Sequence, residues 1–145
     1  MITSARDISL EAISPGDVAD ISWTATAEEI DSFAELSGDH NPLHKDPAYA
    51  RAKGFSDCVV HGFFLGAKIS GLIGMILPGK RCLLLEESLA FPNPTYPGDT
   101  VCLQAEISEI RLELALVILK IKGTKTTDSG PQTVTRGTVI CKILS

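Results

Sequence analysis

Apolar residues change their spacing along this chain, and the changes divide it into elements. Residues 8–25 read as an entry segment and a first strand. The turn signal Ser14-Pro15-Gly16-Asp17 leads into Val18-Ala19-Asp20-Ile21-Ser22-Trp23, which has part of a strand's composition. The period then lengthens. Thr26 and Glu29 have capping-box spacing, and Ile30, Phe33 and Ala34 follow one turn apart, so a helix is predicted from Thr26 onward. Gly38 is its natural stop, since glycine enters the left-handed terminal conformation without a Cβ penalty. Asp46-Pro47 reads as an N-cap followed by proline in the first helical position. It opens a short helix through Lys53 that Gly54 ends.

Residues 59–77 are apolar nearly all the way round. That predicts a central helix enclosed by other elements, not one laid on a surface. Roughly 18 helical residues would run about 27 Å, the width of a small domain. Pro78-Gly79 ends it. Gly62, Gly66, Ser70 and Gly74 recur at every fourth position and form a stripe of small side chains. Either a sheet packs closely on that stripe or a ligand approaches its N-terminal part. Beyond it the period falls to two. A strand is expected over 80–91, broken by Pro92-Asn93-Pro94, and Pro97-Gly98-Asp99 is a further turn. Val101, Leu103, Ala105 and Ile107 alternate with Cys102, Gln104, Glu106 and Ser108 as in a half-buried strand. Strands follow over 114–122 and 133–144, joined by a hairpin-type loop at 127–131, with a bulge expected at Gly137. Helices placed ahead of an antiparallel meander of three or four strands indicate an α+β protein, with the sheet wrapped round the apolar helix.

Composition narrows the class without naming it. The 145 residues suit one domain with a proper core, and 44% hydrophobic with 21% charged residues is ordinary for a globular protein. A net charge of −5 with no basic run argues against nucleic acid as a partner, while leaving room for one phosphorylated ligand met by a few local cations. A membrane span over 59–77 is disfavoured by His61, Lys68, Ser70 and four glycines. Cys58, Cys82, Cys102 and Cys141 form no CxxC pair and no zinc spacing. They read as reduced and mostly buried, and a cytoplasmic setting is expected, with no secretion signal at the N-terminus.

The candidate chemistry lies in residues 36–46, Leu-Ser-Gly-Asp-His-Asn-Pro-Leu-His-Lys-Asp. Asp39 and His44 flank Asn41-Pro42, a turn-forming pair, because proline pushes the preceding residue out of helical geometry. A bend there can bring acid and imidazole to one point, as proton transfer requires. By themselves such residues are more often turn or solvated groups. His40 is expected to be exposed, and His61 to anchor the start of the long helix through a hydrogen bond. Phe63, Phe64 and Leu65 suit core packing at least as well as the lining of a ligand site.

The stretch Phe33-Ala34-x-Leu36-Ser37-Gly38-Asp39-x-Asn41-Pro42-Leu43-His44-x-Asp46 resembles the signature of the (R)-specific enoyl-CoA hydratases, the hydratase 2 or MaoC-like proteins. Val60-His61-Gly62 and Tyr96-Pro97-Gly98-Asp99-Thr100-Val101 are similar to later blocks of that family, and the similarity runs from about Pro15 to the end. The resemblance implies a hot-dog fold, with a single MaoC-like domain over 1–145, a sheet round a central helix at 59–77, and a homodimer. It implies reversible addition of water to trans-2-enoyl-CoA, giving (R)-3-hydroxyacyl-CoA. No metal or redox cofactor is implied, and coenzyme A belongs to the substrate. Asp39 and His44 match the catalytic pair, which activates one water. Gly62 matches a position whose backbone N–H faces the thioester oxygen, a contact worth about 3 kcal/mol by analogy with oxyanion holes. Ser70 falls where a small polar residue lies near the substrate, and Asn41 would fix the loop or the water. Two other readings stand beside this one: a 3-hydroxyacyl-[acyl-carrier-protein] dehydratase, and a non-catalytic module that binds acyl thioesters.

Overall fold

The period-two segments form one five-stranded antiparallel sheet in the computed structural model, which describes residues 2–145. Strands β1 (Val18–Thr24), β2 (Cys82–Ala90), β3 (Thr100–Arg111), β4 (Leu116–Thr127) and β5 (Gly130–Ile143) lie in the order β1-β3-β4-β5-β2. Only β3, β4 and β5 make a meander. β2, expected to open it, pairs instead with β5 at the far edge, and residues 91–99 carry the chain back across the end of the sheet to β3. The alternation read in β3 holds throughout: Val101, Leu103, Ala105 and Ile107 are fully buried, and the residues between them face out.

Helix α1 (Ala27–Ser37) begins with the anticipated capping box. Thr26 Oγ1 accepts the Glu29 N–H at 3.1 Å, and Glu29 Oε2 accepts the Thr26 N–H at 3.3 Å. It ends at Gly38, whose φ is +75°. Two short helices follow, α2 (Pro42–Lys45) and α3 (Pro47–Ala52). Asp46 caps α3 by accepting the N–H groups of Ala48 and Tyr49.

The long helix is α4 (Gly62–Met75), 14 residues and so about 21 Å, shorter than the 59–77 expected. Its start is delayed by outside partners. The Val59 N–H donates to Leu43 O at 3.0 Å and the Val60 N–H to Thr95 O at 2.8 Å, and the Val59 carbonyl, which a helix would offer to the Phe63 N–H, faces His44 Nδ1 instead. Leu65, Ile69, Leu72 and Ile73 are buried in a core shared with β1, β3, β4 and β5. The enclosure predicted for this helix is complete on that side only: Phe63 is 85% exposed, and Ala67, Ser70 and Gly71 lie on the same open side. The small-residue stripe is explained for its first half. A Cβ on Gly62 would stand 2.8 Å from the Phe91 ring, and one on Gly66 3.6 Å from Glu87 and Leu89, whereas Gly74 has open space.

The bulge expected at Gly137 is absent. The sheet's register shifts fall between Leu84 and Glu86, Ile107 and Glu109, and Gly123 and Thr124. Gly137 serves close approach instead, since a Cβ there would lie 1.8 Å from the Ser88 carbonyl oxygen on β2. All four cysteines are free. Cys58 and Cys141 are buried, Cys82 is half-buried and Cys102 is exposed, so burial is less general than the sequence suggested. Among the described residues no helix is long and apolar enough to cross a membrane.

Candidate active site

Short-range hydrogen bonds build the loop between α1 and α2. The Asp39 N–H donates to Ser37 Oγ (3.2 Å), the Asn41 N–H to Asp39 Oδ1 (3.2 Å) and the Leu43 N–H to Asn41 Oδ1 (2.9 Å). Each side chain accepts from the backbone two residues on, the mode that makes Asp and Asn turn residues. Asn41 is thereby the N-cap of α2, and its side-chain oxygen is committed to the loop.

The same bonds orient the acid. With Oδ1 engaged by Asn41, Asp39 Oδ2 is left to face His44 Nε2 at 3.7 Å. On the other side of the imidazole, His44 Nδ1 lies 2.5 Å from Val59 O. A carbonyl oxygen only accepts, so Nδ1 carries the hydrogen and Nε2 of the neutral ring presents a lone pair. The pair is therefore two acceptors too far apart to bond directly. A water about 2.8 Å from each can give one hydrogen to each. His44 is sheltered, with its side chain 14% exposed, while Asp39 at 49% is open to an incoming molecule.

His61 is the residue the sequence undervalued. It occupies the N-cap position of α4 but makes no capping bond. Its Nε2–H donates instead to the backbone oxygen of Asp39 at 3.0 Å. Its ring stacks on His44 with centroids 3.8 Å apart and planes 24° apart, and the Phe33 ring packs against it edge-on. It is 2% exposed. Burial first, and then the neighbouring His44, hold its pKa below the ordinary imidazole range, against the opposing pull of the bond to Asp39. Its Nδ1 has no hydrogen-bond partner among the described residues. The sequence signal was present as a lone polar residue ahead of an apolar helix, but nothing local tied it to Asp39.

Asp39, His44 and His61 each place one potential ligand atom within 4.8 Å of the others. Near-parallel stacked imidazoles direct their lone pairs side by side, however, not toward one point, and the His61 Nε2–H is already given to a carbonyl. The trio fits a hydrogen-bonded base pair better than a metal centre.

Beside the pair lies a cavity of about 310 Å³, within the usual size range of small-ligand sites. Val59, Val60, Leu65 and Phe91 give it apolar walls, His44 opens onto it, and Gly62 lines it at the start of α4. The N–H groups of Gly62 and Phe63, in the first turn, find no acceptor among the described residues. Free donors and the positive end of the helix dipole there suit an oxygen that gains negative charge. Leu65 thus belongs to the cavity wall, whereas Phe64 stacks on Phe33 away from it. Ser70, two turns along α4, is exposed and does not line this cavity.

The far wall, residues 92–95, is fixed by a residue that sequence reasoning passed over. Lys125 Nζ, on β4, donates to Pro94 O and to Asp99 Oδ2, each at 2.7 Å, and lies over the Tyr96 ring. Asp99 also accepts the Tyr96 N–H, so the Pro-Gly-Asp turn, the wall and β4 are joined at one buried ammonium.

The sequence pattern of the MaoC like domain matches residues 13–128. The chain is 38% identical over 112 residues to the (R)-specific enoyl-CoA hydratase of Aeromonas caviae, covering 77% of this chain and 84% of that protein. It is 37% identical over 86 residues to a mitochondrial 3-hydroxyacyl-[acyl-carrier-protein] dehydratase of Arabidopsis thaliana, covering 59% of this chain and 51% of that one. Among solved structures, the (R)-hydratase from A. caviae involved in PHA biosynthesis superposes with a TM-score of 0.85 at 34% identity, over 92% of this chain and 98% of the other.

Proposed function

This chain belongs to the MaoC-like domain family, and we propose that it is an (R)-specific enoyl-CoA hydratase, adding water reversibly to trans-2-enoyl-CoA to give (R)-3-hydroxyacyl-CoA. The observation that carries this is the pair of acceptors, Asp39 Oδ2 and His44 Nε2, 3.7 Å apart beside a cavity that is also lined by Gly62 at a helix start. Two acceptors fix both hydrogens of one water and leave its oxygen lone pairs free. With the thioester oxygen on the Gly62 N–H, that oxygen attacks C3. The C2–C3 π electrons move onto the thioester oxygen as an enolate, and the proton taken from water by the pair is returned to C2. Dehydration is the reverse path. Coenzyme A enters as part of the substrate, and these steps use only side chains, one backbone N–H and water. Asn41 contributes by holding the loop.

A single MaoC-like domain over 1–145 is the working unit, and two copies pair as a homodimer in a reducing cytoplasm. Supporting the dimer, β2 is an edge strand with Leu83, Leu84 and Leu85 exposed, and one side of α4 is uncovered. Ser70 lies on that uncovered side, so its contact with substrate depends on the second copy closing over the helix.

Hydration of crotonyl-CoA by the purified protein, with the product trapped by an (R)-specific 3-hydroxyacyl-CoA dehydrogenase, tests the proposal. Turnover to the (R)-product supports it; an (S)-product or none across short and medium enoyl-CoAs refutes it. The Arabidopsis relative keeps a carrier-protein thioester as the second substrate to assay, because both carriers offer the same phosphopantetheine arm. A chain inactive on both would be the non-catalytic binding module.

A further inference from the structure

We infer that His61 is a positioning residue that fixes the relative placement of Asp39 and His44 while remaining uncharged itself. The inference rests on the hydratase reading for its kinetic consequences, but its structural content stands apart from that reading. One buried side chain touches both members of the pair: its Nε2–H holds the Asp39 backbone oxygen at 3.0 Å, and its face supports the His44 ring at 3.8 Å. No other side chain of the site combines a donor for Asp39 with a flat support for His44. The two contacts fix complementary things. Holding the Asp39 carbonyl sets where the carboxylate emerges from the loop. Stacking sets the plane of His44, whose remaining freedom is removed by the bond from Nδ1 to Val59 O.

The neutral form follows from the surroundings. The groups facing His61 are His44 and Lys45 on α2 and Asp39 on the loop, and α1 presents only the Phe33 ring. His61 Nδ1, the atom that would take a proton, is buried and has no acceptor beside it. A cation there would lie against His44, a member of the pair that must accept a proton from water. A neutral imidazole gives support and a donor without that penalty. Phenylalanine would give the flat face alone and glutamine the donor alone, which makes the two contacts separable.

The chain has three histidines, so ¹⁵N-histidine labelling and long-range ¹H–¹⁵N spectra over a pH series resolve each ring in the intact protein. His61 is expected as the Nε2–H tautomer, staying neutral through the ordinary imidazole range, and His44 as the Nδ1–H tautomer. A His61 that becomes charged within that range, or that carries its proton on Nδ1, overturns the inference. His61→Phe should lower kcat at least tenfold with KM within about twofold of wild type. His61→Gln, which restores the donor, should recover part of kcat. A side chain that merely fills space would lower thermal stability in both variants and leave kcat per folded molecule unchanged, and that result overturns the inference too. Should His61→Phe fail to fold, the His61→Gln kinetics and the tautomer spectra decide. Failure of the wild type to hydrate any enoyl thioester would sink the hydratase reading alone, since the tautomer and the neutral state are read without turnover.

Discussion

Replacing Asp39 by asparagine tests the proposed chemistry with little disturbance of the fold. The carboxylate has two separate tasks. Oδ1 accepts the Asn41 N–H and so shapes the loop, and Oδ2 faces His44 Nε2 across 3.7 Å. Asparagine keeps the first task, because its amide oxygen accepts the same N–H. The NH₂ group then stands where Oδ2 was. A water between NH₂ and Nε2 can give only one hydrogen to the pair, and the amide takes up no proton. The loss should be that of a general base, about 10²–10⁴ in kcat, or roughly 3–5.5 kcal/mol of transition-state stabilisation. Thermal midpoint should move by less than about 3 °C, since the loop bonds survive. The assay is disappearance of enoyl-CoA absorbance, with the midpoint followed by circular dichroism. Asp39→Asn turning over within threefold of wild type would remove Asp39 from the mechanism. His44→Ala should fall by a similar factor. Adding it to Asp39→Asn should cost little more, because the two groups hold one water and fail as a unit.

Three further outcomes concern the scaffold. Gly137→Ala puts a Cβ 1.8 Å from Ser88 O and must part β5 from β2; a loss of about 3 kcal/mol is expected in urea unfolding, and an unchanged midpoint would show the close approach to be wrong. Lys125→Met strands Asp99 and the Pro94 carbonyl beside an apolar chain of similar length, with an expected loss of roughly 3 kcal/mol and a raised KM as the 92–95 wall loosens; wild-type stability would refute it. Glu87 carries a pKa above its usual 4.5 because burial disfavours the charge, and its Oε1 has no hydrogen-bond partner among the described residues. The native state therefore protonates first as pH falls, and stability declines as pH rises from about 4.5 through the raised value. Glu87→Gln should have the higher thermal midpoint at pH 7 and lose that advantage toward pH 4, and an equal gap at both would contradict this.

The parts of this protein that depend on neighbours in sequence were legible without the structure. The Thr26–Glu29 box, the stop at Gly38, the Asp46 cap and the Asn41-Pro42 bend involve partners two to four residues apart, and all are present. The alternation of β3 likewise gave its buried face, because strand geometry sends successive side chains to opposite sides. The motif loop was therefore readable as a unit, including the two residues of the candidate pair. Tertiary structure decided what depends on distant partners. α4 starts at Gly62, with residues 59 and 60 tied to Leu43, Thr95 and His44, and the Val59 carbonyl faces His44 Nδ1 instead of serving a helical N–H. β2 lies at the far edge because its register is with β5, which no local period reveals. Gly137 accommodates a neighbouring backbone and makes no bulge for the same reason. His61 meets Asp39 from 22 positions away, and Lys125 meets Asp99 from 26. Hydrophobic period and capping record only local geometry, whereas a buried polar side chain takes its role from the partner the fold brings to it.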